Sequence, residues 1–139
     1  MHLLDTDTLI HLYAGHANVV QRLRQCDDLE IGIVMITKAE VLRARCDSLL
    51  KAADSGQLMR AQYRLERTEA LLQQLLVVPL DDHAAREFER LHAAKAVRNI
   101  GHVDLLIASV ALANRATLVT RNLRHFRQVP NLILANWVD

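Results

Sequence analysis

The stretch Leu3-Leu4-Asp5-Thr6-Asp7-Thr8-Leu9-Ile10 constrains this chain more than any other. A short apolar run leads directly into acidic and hydroxyl residues, and a second apolar run follows at once. The pattern predicts a buried first strand that delivers Asp5 at its C-terminal end, with Asp7 on the turn into a helix. A carboxylate directly after a buried strand makes poor sense as packing, because an unpaired charge is expensive to bury. Every other chemically suggestive residue is therefore weighed by whether it reaches Asp5.

Four more apolar runs read as strands: Leu29 to Ile36, Leu76 to Leu80, Thr117 to Thr120, and Leu132 to Leu134. Between them lie helical patterns. Thr8 to Tyr13 is followed by a break at Gly15-His16-Ala17-Asn18 and by a second piece carrying Val19, Val20 and Leu23. Thr37 opens a helix to about Ala53, and after the Asp54-Ser55-Gly56 turn another runs from Leu58 to Leu75. Asp81 or Asp82 caps a helix carrying Ala84, Ala85, Phe88, Leu91 and Ala94. Leu105 to Ala113 is apolar nearly all round, so it packs on more than one side. Arg121 to Phe126 reads as a turn and a short helix.

Strands separated by helices imply a parallel sheet covered on both faces, a three-layer α/β/α sandwich of about five short strands. With 139 residues, 51% of them hydrophobic, the chain suffices for one domain over residues 1–139 with a sizeable core. The 17 Lys+Arg against 16 Asp+Glu exclude a nucleic-acid binder that works by bulk charge, but leave room for a local basic patch. Cys26 and Cys46 make no CxxC pair and read as reduced thiols. No signal peptide is recognised, and no run approaches the roughly 18 apolar residues of a membrane span. A soluble, cytoplasmic protein is expected.

In an open parallel sheet the site lies outside the carboxyl ends of the strands, where the strand order reverses. Asp5 follows the first strand, Glu40 the second and Asn122 the fourth, while Asp104 begins the helix before the fourth. Carboxylates gathered on one rim repel: two charges about 4 Å apart interact by about 4 kcal/mol at an effective dielectric near 20. Three of them must take up protons or bind a cation. Oxygen ligands suit Mg²⁺ or Mn²⁺, which activate water for attack on a phosphodiester and offset charge on the leaving oxygen.

Each acid also has a plain structural reading. Thr37-x-x-Glu40 matches a helix capping box, and taken alone that reading of Glu40 outweighs catalysis. Asp104 in a first helical turn suits the macrodipole, and Asp7 could simply cap the first helix. Thr120 and Asn122 are ordinary turn residues. His102 and His125 could flank the rim, but they have no metal-ligand spacing and read better as exposed helix ends. Arg121, Arg124 and Arg127 recur every three residues beside the rim, as a basic lip for RNA phosphates or as a solvated face. The shared location of the acids is the stronger argument.

The segments LLDTDTLI, ITKAEVL, HVDLLIASVAL, ATLVTRNLRHF and LANW resemble, in order and over nearly the whole chain, the motifs of PIN-domain ribonucleases. The similarity is greatest to VapC-type toxins of toxin–antitoxin pairs. The resemblance implies that Asp5, Glu40 and Asp104 are catalytic, with Asp5 and Asp104 as metal ligands. Asp7 stands where relatives usually have Asn, and supports the site together with Thr120 and Asn122. With Asn rather than Asp at position 122 one carboxylate is missing, so a second metal would be held weakly or not at all. The family often has Gly where this chain reads Leu42-Arg43-Ala44-Arg45.

The resemblance further implies a Mg²⁺- or Mn²⁺-dependent endoribonuclease, homodimeric, with Arg121 and Arg124 near the RNA. Its partner would be a VapB-like antitoxin whose C-terminal segment covers the rim and reaches operator DNA through its own DNA-binding half. Two rivals stand beside this. Asp5-x-Asp7 after an apolar strand also suggests a haloacid dehalogenase-like phosphatase or phosphotransferase, although Thr8 follows Asp7 directly where that motif spaces them. The other is a non-catalytic PIN-like binding module, which has no need to gather like charges.

Overall fold

The computed structural model describes residues 1–94, 97 and 99–139. Five short strands form one wholly parallel sheet: β1 (His2–Leu4), β2 (Ile31–Val34), β3 (Leu76–Val78), β4 (Thr117–Val119) and β5 (Ile133–Ala135). Their order is β3-β2-β1-β4-β5. Successive residues of a strand point to opposite faces, and helices cover both faces here, so both must be apolar. Leu3, Val34 and Leu118 enter one core cluster, while Leu4, Ile33 and Val119 enter the other. All six are completely buried.

One layer holds α5 (Asp82–Ala93) and α6 (His102–Ala113), which pack together. α6 buries six of its twelve residues, matching its all-round apolar sequence. The other layer holds α1 (Thr6–Tyr13), α2 (Ala17–Gln25), α3 (Met35–Leu50) and α4 (Ser55–Gln73), and a one-turn α7 (Leu123–Phe126) precedes β5. Gly15 joins α1 to α2 at φ 74°, a conformation that favours glycine. Gly32 sits opposite Leu76, where a Cβ would run into the Leu76 carbonyl oxygen.

The second strand is shorter than its apolar run suggests. Leu29 is 99% exposed, and Met35 and Ile36 already belong to α3. The helix therefore starts before Thr37, with Val34 as its N-cap residue, and no capping box forms. β5 lies one residue later than expected, and β4 stops at Val119. Within Leu42-Arg43-Ala44-Arg45, Arg45 joins three helices. Its Nε donates to Thr68 Oγ1 of α4 at 3.1 Å, and its guanidinium lies 4.9 Å from the Tyr13 ring centroid of α1. Among the described residues no helix is long and apolar enough to cross a membrane.

Candidate active site

Strand order reverses at β1: the chain goes on to β2 and β3 on one side, and β4 and β5 form on the other. The carboxyl end of β1 is therefore the switch point where such sheets hold ligands. The chain leaves it tightly stitched to β4. The Asp5 N–H donates to the Val119 carbonyl at 3.0 Å, and the buried Thr8 hydroxyl donates to the same carbonyl at 3.1 Å.

Asp5 itself is the N-cap of α1, its Oδ1 accepting the Thr8 N–H at 2.8 Å. The capping role considered for Asp7 thus belongs to Asp5, and α1 begins at Thr6 rather than Thr8. Capping occupies one carboxylate oxygen of a residue only 8% exposed. Asp7 falls in the first turn, half-exposed, with Oδ2 3.5 Å from His11 Nδ1.

Glu40 is on the second turn of α3, and its Oε1 accepts from the Thr6 hydroxyl of α1 at 2.9 Å. Its role is thus not to cap α3, because the helix begins a full turn earlier. Asp104 is in the first turn of α6. Burial raises its pKa, the charges of Asp5 and Glu40 raise it further, and His125 pulls the other way without cancelling them. Asp5 and Glu40 thus both act on Asp104, although 99 and 64 residues of sequence separate them from it.

Asp5, Thr6, Asp7, Glu40, Asp104 and Asn122 line one open cleft of about 460 Å³, with Phe126 at its apolar wall. Thr120 is fully buried beneath it. Its hydroxyl accepts the Asn122 N–H at 3.0 Å and its own N–H donates to Ala135 at 2.8 Å, so it shapes the turn that presents Asn122. Arg121 and Arg124 are exposed and outside the lining; Arg121 pairs with Asp139 at 3.4 Å. Asp81 caps α5, accepting the Ala84 N–H at 2.9 Å.

Sequence reasoning underrated His125. It is half-buried, with Nε2 3.2 Å from Asp104 Oδ2.

Oxygen-only donors fit a hard divalent cation, and three like charges in one cleft leave an excess for it to offset. Among the described residues no three His, Cys, Asp or Glu side chains form a preassembled cage.

The PIN domain family model matches residues 2–132. A stretch of 38 residues is 63% identical to ribonuclease VapC2 of Rickettsia felis, covering 27% of this chain and 28% of that protein's length. Among solved structures, the chain resembles VapBC2 from Rickettsia felis bound to a DNA fragment from its promoter, with TM-score 0.78 and 27% identity over 98% of both chains. It also resembles DNA-bound VapBC from Salmonella typhimurium, with TM-score 0.83 and 24% identity over 98% of this chain and 97% of that one. At 24% identity the second likeness speaks for the fold alone.

Proposed function

The chain belongs to the PIN-domain family, and from that premise we propose that it is the endoribonuclease toxin of a toxin–antitoxin pair, dependent on Mg²⁺ or Mn²⁺. The observation that carries this reading is the convergence of Asp5, Glu40 and Asp104, from the cap of α1, the second turn of α3 and the first turn of α6, on one cleft at the strand-order reversal. The likeness to ribonuclease VapC2 supports the activity, and the likeness to VapBC complexes supports the partner. Family membership favours a nuclease over a haloacid dehalogenase-like phosphatase.

Asp5 and Asp104 would hold the cation, and Glu40, steadied by Thr6, would orient the attacking water. When bound, the cation supplies charge for the phosphate oxygens and lowers the pKa of water. Asp5 keeps its place because its second task, capping α1, fixes its rotamer. Asp7, Thr120 and Asn122 shape the pocket. Arg121 and Arg124, on the same side of the sheet, are available to RNA phosphates beyond the cleft.

A VapB-like antitoxin silences the site by laying a segment with a basic side chain over the acids, which need positive charge in the cation's absence. Operator DNA is reached only through that partner, and the toxin itself is a homodimer. Expressing the chain alone in cells and sequencing the 5′ ends of RNA tests the activity and names the target. New, discrete 5′ ends that vanish when the antitoxin is co-expressed are expected. An unchanged RNA profile from folded, abundant protein would leave the non-catalytic binding module as the better reading.

A further inference from the structure

His125 Nε2 is buried and makes no hydrogen bond within the described residues, yet it lies 3.2 Å from Asp104 Oδ2. The pair is close enough to bond but not aligned to do so. A buried N–H left in this state is unfavourable, and such groups are rare in native proteins outside functional sites. Site hydrogen bonds are often poorly aligned in the empty protein and tighten once the site is loaded.

The two partners are not equally free to close the gap. His125 is anchored by its neighbour: Phe126 is 1% exposed, its N–H donates to Asn122 at 3.2 Å, and its ring lies edge-on to the imidazole. The Asp104 side chain, at 39% exposure, faces both Asp5 and Glu40 across the cleft. Repulsion from those acids favours a rotation of its carboxylate outward to water. A fixed N–H beside its Oδ2 opposes that rotation.

We propose that His125 is a positioning residue for Asp104: its Nε2–H holds the carboxylate in the orientation shared with Asp5 and Glu40, and the bond closes when a divalent cation is held among them. The inference rests on the cation-dependent reading above. His125 touches neither the RNA nor the cation, and it moves no proton. Residues that hold a metal ligand in this way typically change metal affinity by about 10- to 100-fold when replaced.

Purified His125→Gln and His125→Met proteins test this, since both resemble histidine in length and only Gln keeps an N–H near the Nε2 position. Each is titrated with Mn²⁺ alone, following free Mn²⁺ by electron paramagnetic resonance, and assayed for RNA cleavage against Mn²⁺ concentration. The Met variant should bind Mn²⁺ at least about tenfold more weakly and need correspondingly more for half-maximal cleavage, with most of the rate recovered at saturation. The Gln variant should lie within about threefold of the wild type. Equal Mn²⁺ binding by Gln and Met variants, with the wild type binding normally, overturns the positioning role alone. A wild type that binds no Mn²⁺ and cuts RNA regardless overturns the cation-dependent reading and this inference with it.

Discussion

Asp5 and Asp81 are local twins. Each comes after a strand of the sheet, each is the N-cap of the next helix, and each accepts the N–H three residues on, at 2.8 and 2.9 Å. Their surroundings differ. Asp5 leaves the central strand at the switch point, is buried, and shares its cleft with Glu40 and Asp104. Asp81 leaves the edge strand β3 into solvent, away from that cleft. The same three-residue device is scaffold at the sheet's edge and candidate chemistry at its centre. Position in the sheet, not the local motif, separates them.

Replacing each twin by asparagine sharpens the contrast most, because Asn caps as well as Asp but carries no charge. Asp5→Asn should lower RNA cleavage by about a thousandfold, about 4 kcal/mol of lost transition-state stabilisation, while Asp81→Asn leaves it unchanged. Equal effects would break the distinction. Thr6→Ala comes next, since it removes the hydroxyl that holds Glu40. A roughly tenfold fall in cleavage with a melting temperature lower by only a few degrees is expected, as for the loss of one hydrogen bond to a carboxylate of about 1.5 kcal/mol.

Stability should move the other way at the two places. Asp81→Ala, losing a cap, should cost about 1 kcal/mol in denaturant unfolding with cleavage intact. Asp104→Asn should instead melt slightly higher than the wild type at neutral pH. Burial and then the neighbouring acids raise the folded-state pKa of Asp104. Its contribution to stability is thus fully present below the ordinary carboxylate pKa and is lost as pH rises through the raised value. The advantage of the Asn variant should therefore disappear in acid, and a melting series from pH 3 to 8 reads it directly.

Much of this was legible in the chain itself. Both faces of a parallel sheet are buried, so Leu3-Leu4, Ile33-Val34 and Leu118-Val119 announce their strands as unbroken apolar pairs. The same fact hid the end of β2, because the first turn of α3, Met35-Ile36, continues the apolar run without a break. That slip produced a capping box for Glu40. Its true partner, Thr6, is 34 residues away and is brought near only by the packing of α1 against α3. The capping by Asp5 was obscured by placing the helix start two residues late. The contact of His125 with Asp104 depends on α7 docking beside α6, which no local pattern encodes.

The central claim is that the three acids of the cleft form one cation-dependent nuclease site. Purified wild-type protein, free of antitoxin, incubated with total cellular RNA in EDTA and then with Mg²⁺ or Mn²⁺ restored, tests it most directly. RNA should stay intact in EDTA and be cut when either cation returns, with Asp5→Asn inactive throughout. Cleavage that persists in EDTA, or in Asp5→Asn, would contradict it.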